Sequence, residues 1–268
     1  MQIGGREFDT VSGCYVMGIL NVTPDSFSDG GKWDKLDSAL KHVQDMIGEG
    51  ADIIDIGGES SRPGHESISV QEELNRALPV VEAVRSRFDV PISIDTCKSE
   101  VAKAALSAGA DLVNDIWGLK SDPGMAGVIA QAGAACCLMH NRADMDYSDF
   151  IPDVLDDLRE SLILAKKAGI ADDKVILDPG VGFAKTHEMN LGVINRLDAI
   201  KAMGYPVLLG ASRKRVVGNT LDLPVEERVE GSLAAAIIGL VRGCCFVRVH
   251  DVKETCRAIK MAQAILGA

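Results

Sequence analysis

Residues 91–116 read PISIDTCKSEVAKAALSAGADLVNDI, and the rest of the chain repeats their pattern. The stretch opens on a short apolar run, 91–96, that closes on Asp95 and Thr96. A helical pattern follows, with Val101, Ala104, Ala105 and Ala108 on one face. Gly109 then supplies the left-handed backbone on which helices commonly end. A second apolar run, 112–116, begins almost at once. The order is strand, helix, strand, with no tight hairpin between the strands, and such a unit pairs its strands in parallel.

Seven similar apolar runs accompany the first, at 14–22, 52–58, 112–116, 136–140, 175–181, 206–211 and 245–249. They are mostly continuous rather than alternating, as expected of strands buried on both faces. Helical spacing connects them: Leu36, Leu40, Val43 and Ile47; Leu74, Leu78, Val81 and Val84; Leu155, Leu158, Leu162 and Ala165; Leu191, Ile194 and Leu197; Ile259, Ala262 and Ile265. Gly50, Gly133 and Gly204 stop helices as Gly109 does. Eight such units predict an α/β fold closed into a (β/α)8 TIM barrel, with an open doubly wound sheet as the alternative. The 268 residues suit one barrel domain over 1–268, since such barrels run to about 250 residues.

Composition narrows the function. Hydrophobic residues make up 47% and aromatics only 4%, so the core is expected to be built from Val, Ile, Leu and Ala. A net charge of -11 disfavours nucleic acid and anionic lipid as partners. A small anionic substrate remains compatible, because a few local cations outweigh distant screened charge. Residues 1–10 do not read as a signal peptide. The most apolar later run, 233–241, is far shorter than the roughly 20 residues a membrane span needs, and is expected to be a buried helix. The seven cysteines include no CxxC. Adjacent Cys136–Cys137 and Cys244–Cys245 should point to opposite faces, as small buried hydrophobes in a reducing cytoplasm.

Polar residues gather at the strand ends: Asn21, Glu59, Asp95, Asn114 with Asp115, His140, Asp178, Ser212 with Arg213 and Lys214, then Arg248 with His250. A barrel builds its active site at that rim. One buried Asp there is as well explained by capping the next helix. The whole set is not. Arg248 and His250 lie two apart on a strand, on one face, and with Asn21 from the adjoining strand they suit a phosphorylated group. Asp178 suits two parallel N–H donors from the guanidine-like edge of a nitrogen-rich ring. The residues therefore imply a barrel enzyme for an anionic, phosphate-bearing ligand with such a ring. Rival motifs are weak: there is no P-loop, no HExxH and no complete dinucleotide fingerprint. Ser212, His250 and Asp95 lack the context of a nucleophile elbow.

The same segments resemble the dihydropteroate synthase family. Residues 17–31 (MGILNVTPDSFSDGG) and 50–64 (GADIIDIGGESSRPG) are similar to its two signatures. SIDT at 93–96, VND at 113–115, LMH at 138–140, LDPGVGF at 177–183, GASRK at 210–214 and RVHDV at 248–252 extend the likeness over almost the whole chain. The resemblance implies an enzyme joining a pterin diphosphate to p-aminobenzoate with release of pyrophosphate, a sulfonamide target in folate biosynthesis. It implies pterin binding by Asp95, Asn114, Asp178, Lys214, Met139 and Phe183, with Asp95, Lys214 and Arg248 catalytic. Asn21, Arg248 and His250 would hold the diphosphate, with Asn21 also placing Mg2+. Ser61, Arg62, Pro63, Phe27 and Ser212 would hold p-aminobenzoate. The second signature often has Thr where this chain has Ser61; Ser keeps the hydroxyl and loses a methyl.

Residues 21–35 and 59–69 follow strands at this rim and read as lids that exclude water, with ordinary surface loops as the alternative. A homodimer through late helices is expected from the resemblance. A pterin-barrel methyltransferase would not need the SRK and RVH groups, and a non-catalytic paralogue should have lost residues such as Arg62.

Overall fold

The computed structural model describes residues 1–22, 32–60 and 67–268. Two short strands, β1 (Gln2–Ile3) and β2 (Arg6–Glu7), form an antiparallel hairpin ahead of the repeating units. The alternation then runs β3 (Tyr15–Asn21), α1 (Lys32–Glu49), β4 (Ile53–Gly57), α2 (Val70–Arg87), β5 (Ile92–Asp95), α3 (Ser99–Ser107), β6 (Leu112–Asp115) and α4 (Met125–Ala132). It continues with β7 (Ala135–Met139), α5 (Phe150–Ala168), β8 (Val175–Asp178), α6 (His187–Asn195), α7 (Leu197–Lys201) and β9 (Leu208–Leu209). The chain finishes with α8 (Arg215–Leu221), α9 (Val229–Val241), β10 (Phe246–Val249) and α10 (Val252–Leu266).

Strands β3 to β10 form one parallel sheet in the order β8-β7-β6-β5-β4-β3-β10-β9. Its two ends meet through a parallel bridge between Leu177 and Val207, where the Leu177 N–H donates to the Pro206 carbonyl at 2.9 Å. The sheet thus curls into the expected (β/α)8 barrel rather than an open sheet. Alternation along each strand creates two apolar regions. Val16, Ile54, Ile94, Val113, Cys136 and Leu177 pack outward under the helices. Met17, Ile53, Leu112, Cys137, Ile176 and Phe246 fill the barrel's interior. Cys136 and Cys137 part to opposite faces in this way, and so do Cys244 and Cys245.

The N-terminal ten residues close the floor of the barrel: Ile3 and Phe8 are buried against the interior layer, and the Phe8 ring meets Tyr15 edge-on at 4.8 Å. Three local expectations differ from the structure. Leu191 is exposed, because the helix breaks between α6 and α7 at Arg196 and the face is carried by Val193, Ile194, Leu197 and Ile200. Residues 233–241 are not buried all round, since Ile238 and Val241 of α9 face outward. In α2 Val81 and Val84 are buried as expected, while in its first half Glu73, Ala77 and Val80 are buried and Leu74 and Leu78 only partly so. Among the described residues no helix is long and apolar enough to cross a membrane.

Candidate active site at the barrel mouth

Asp95, Asn114, Met139 and Asp178 end β5, β6, β7 and β8, and all four are buried. Residues two apart on a strand share a face, so the inward Cys137 places Met139 inward as well, one layer nearer the mouth. Arg248, on β10, spans the interior. Its Nε donates to Asp55 Oδ2 and its Nη2 to Asp95 Oδ2, both at 2.6 Å. Asp55 lies in the middle of β4 and is fully buried. It was missed in the sequence because IIDIG reads as one apolar run. The signal was there: a lone acid two residues before Gly57 must face the same way as the strand end.

Two glycines show how the side chains converge. A methyl placed on Gly210 would lie 3.7 Å from Asp178 Oδ2 and from Lys214 Nζ, and 3.9 Å from Arg248 Cβ. One on Gly57 would lie 3.7 Å from Asn21 Oδ1 and from Asp95 Oδ2. The mouth therefore gathers Asn21, Asp95, Asp178, Lys214 and Arg248 around a space bordered by bare backbone. Asp178 is held by the Gly180 N–H on Oδ1 at 2.7 Å. Lys214 Nζ donates to the Val181 carbonyl at 2.6 Å and lies 4.9 Å from the centre of the Phe183 ring.

The turn carrying Ser212 and Lys214 has an unusual backbone. Arg213 has φ +56°, a left-handed conformation that costs a side-chain-bearing residue about 1–2 kcal/mol. Its surroundings hold it there. The Arg213 N–H donates to Ser232 Oγ and its carbonyl accepts from Arg228 Nη1, each at 3.0 Å, while its guanidinium forks onto Asp251. Ser232 and Arg228 belong to α9 and its start, so that helix sets the turn. Ser212 Oγ in turn lies 3.1 Å from His250 Nδ1 and accepts the His250 N–H at 3.2 Å.

Burial sets the electrostatics. It pushes Asp95 up to about 7, with Arg248 opposing and Asp55 reinforcing the rise. It raises Asp178 as well, against Lys214. Lys214 is brought down to about 8 by burial, against the pull of Asp178 and Asp95. Arg248 stays charged, because Asp55 and Asp95 outweigh its desolvation.

Some polar strand ends do not join the mouth. Asp115 points outward and accepts the N–H groups of Trp117 and Leu119 at 2.9 and 2.7 Å, as a turn cap. His140 also points outward, and bonds Asp157 of α5. Glu59 pairs with Lys98, which also reaches the buried Glu73 at 2.6 Å. Phe27, Ser61, Arg62 and Pro63 lie outside the described residues, as does most of the two expected lids.

Among the described residues there is no cluster of three or more His, Cys, Asp or Glu side chains to hold a metal. Magnesium often keeps several waters, takes one or two protein oxygens and draws the rest from substrate phosphates. The Asn21 carbonyl oxygen at the mouth, beside Asp95, fits that sparse demand.

The family described as pterin binding enzyme matches residues 17–250. A dihydropteroate synthase of Clostridium beijerinckii is 54% identical over 267 residues, covering 99% of both chains. The fold matches a crystal structure of dihydropteroate synthase from Clostridium difficile in the presence of pteroic acid, with TM-score 0.94 and 47% identity over 97% of this chain and 99% of that one. It also matches the Yersinia pestis enzyme in complex with a sulfonamide drug, with TM-score 0.94 and 43% identity over 100% and 99%.

Proposed function

The chain belongs to the dihydropteroate synthase family of pterin-binding enzymes, transferases that make dihydropteroate in folate biosynthesis, and we propose how its own residues carry out that condensation. The substrates are (7,8-dihydropterin-6-yl)methyl diphosphate and p-aminobenzoate. The observation that carries the reading is the ion-paired mouth: Arg248 between Asp55 and Asp95, with Asp178 and Lys214 around Gly210.

The pterin ring enters the space beside Gly210. Asp178 accepts from its guanidine-like edge while Lys214, Asn114, Met139 and Phe183 fix its plane. The carbon–oxygen bond from the ring's methylene to the diphosphate breaks, and both electrons leave with the diphosphate. Arg248, His250 and Asn21 receive that anion. Magnesium, held by Asn21 and the diphosphate, would supply further charge neutralisation to the leaving group. Positive charge left on the methylene spreads into the ring, where the Asp95 carboxylate stabilises it electrostatically. The lone pair of the aryl amine then forms the new carbon–nitrogen bond, and the amine gives up one proton. The amine is neutral at pH 7, so no strong general base is required. Ser212, with Ser61, Arg62, Pro63 and Phe27, receives p-aminobenzoate.

Seven unpaired cysteines, five of them buried, support a reducing cytoplasm. Exposed apolar side chains on the packed helices α9 and α10 support a homodimer.

The test is turnover by the purified chain. With both substrates and Mg2+ it should give dihydropteroate and pyrophosphate in equal amounts. Loss of pyrophosphate without a carbon–nitrogen bond would contradict the proposal. A steep dependence of rate on the nucleophilicity of substituted anilines would contradict its dissociative, SN1-like character.

A further inference from the structure

The loop that follows β8 buries on its rear side the amine of its own Lys185, to which the mechanism above gives no part. Lys185 is only 8% exposed. Its Nζ lies 2.7 Å from His140 Nδ1, 3.0 Å from the Gly180 carbonyl and 3.1 Å from the Phe183 carbonyl. Three acceptors match the three hydrogens of the protonated amine, which burial brings down to about 7 against the pull of Asp178. His140 accepts at Nδ1 only when its proton is on Nε2, and Nε2 faces Asp157 Oδ2 at 2.9 Å. The other tautomer would set a bare ring nitrogen against the carboxylate. Arg142 Nε holds the same Asp157 oxygen at 2.5 Å. Burial, reinforced by Lys185, brings His140 down to about 3, so the ring stays neutral.

The front of this loop carries the ring-binding groups. Gly180 donates to Asp178, Val181 accepts from Lys214, and the Phe183 ring lies against Lys214. One short loop is thus gripped on one side by Lys185 and meets the mouth on the other. A β-carbon at Gly180 would fall 1.9 Å from the His140 carbonyl oxygen, so the loop sits against β7 with no slack.

We infer that Lys185 is a positioning residue for the ring-binding edge: it grips the Gly180 and Phe183 carbonyls from behind and so fixes where Asp178, Lys214 and the Phe183 ring stand. His140 and Asp157 act through it, by presenting Nδ1 as an acceptor. The inference rests on the reading of this edge as the pterin site. A staple serving only stability would change the unfolding temperature and leave substrate recognition as it was.

The test uses the full chain carrying Lys185→Met, which removes the three donors and keeps the apolar stem. KM for the pterin diphosphate, and its dissociation constant by calorimetry, should rise on the order of tenfold or more, the scale of a lost charged hydrogen bond. KM for p-aminobenzoate should stay unchanged. Asp157→Asn, at a partly exposed position, should raise the pterin KM in the same direction by disturbing the His140 tautomer, and it keeps the question open to test should Lys185→Met fail to fold. In the wild-type chain labelled with 15N-histidine, His140 should carry its proton on Nε2. Wild-type pterin recognition in either folded variant, or a proton on His140 Nδ1, would overturn the inference. A wild-type chain that makes no dihydropteroate would sink the functional reading and this inference with it; wild-type turnover with unshifted variants would sink the inference alone.

Discussion

Gly210 carries no side chain, and Asp178, Lys214 and Arg248 surround the place where one would be. A methyl there would make ordinary contacts at 3.7–3.9 Å, and Gly210 has no left-handed backbone to strain. Gly210→Ala should therefore fold with an unchanged unfolding temperature yet lose affinity for the pterin, because the methyl occupies the ring's space. Calorimetric titration with the pterin diphosphate checks this; wild-type affinity would place the ring elsewhere. The titratable groups make a second expectation. Asp95 must be ionised to stabilise a cation, and burial holds it near 7. Lys214 must keep its proton to orient the ring, and burial holds it near 8. In the free enzyme kcat/KM for the pterin substrate should fall below about 7 as Asp95 takes up a proton, and above about 8 as Lys214 loses one. The two groups influence each other, so the limbs report the pair rather than either residue. A profile flat from pH 6 to 9, on the order of the range these groups span, would remove both from the rate-determining chemistry.

The β1–β2 hairpin closes the end of the barrel opposite the mouth. Phe8 packs on Tyr15 and Phe246, with ring centres 4.8 and 5.7 Å away. Phe8→Ala should cost about 3–5 kcal/mol, the usual range for emptying a buried aromatic site. Urea denaturation measures the loss, and KM values should stay put because the floor is remote from the substrates. Periodicity does not reveal this element, since two-residue strands carry too little pattern to register. The break between α6 and α7 is hidden for a related reason: Leu191, Ile194 and Leu197 keep helical spacing across it, and only packing decides that Leu191 faces solvent. The turn at Arg213 is a further case. Nothing in GASRK announces a left-handed arginine, because Ser232 and Asp251, which hold it, are distant in sequence.

At the scale of the molecule, α9 and α10 expose Ile238, Val241, Met261, Ile265 and Leu266, with Val241 at 56% and Ile265 at 63%. Isolated apolar side chains on a surface need no explanation, but a group on two packed helices is what the proposed homodimer would bury. A homodimer through this face predicts that Ile238→Asp combined with Val241→Asp gives a monomer by light scattering; a mutant with the wild-type mass would move the interface elsewhere. The sequence by itself determined the eight βα units and the polar composition of the strand ends, because alternation and glycine stops act between near neighbours. It also carried the family likeness, in short motifs kept in order. Tertiary structure alone decided which of those polar ends meet. Asp95 and Arg248 turn inward to one mouth while Asp115 and His140 turn out to cap and brace, since barrel closure and strand register assign each side chain its face. Closure likewise put Asp55 under Arg248 and His140 against Lys185, partners separated by stretches of chain that no local pattern spans.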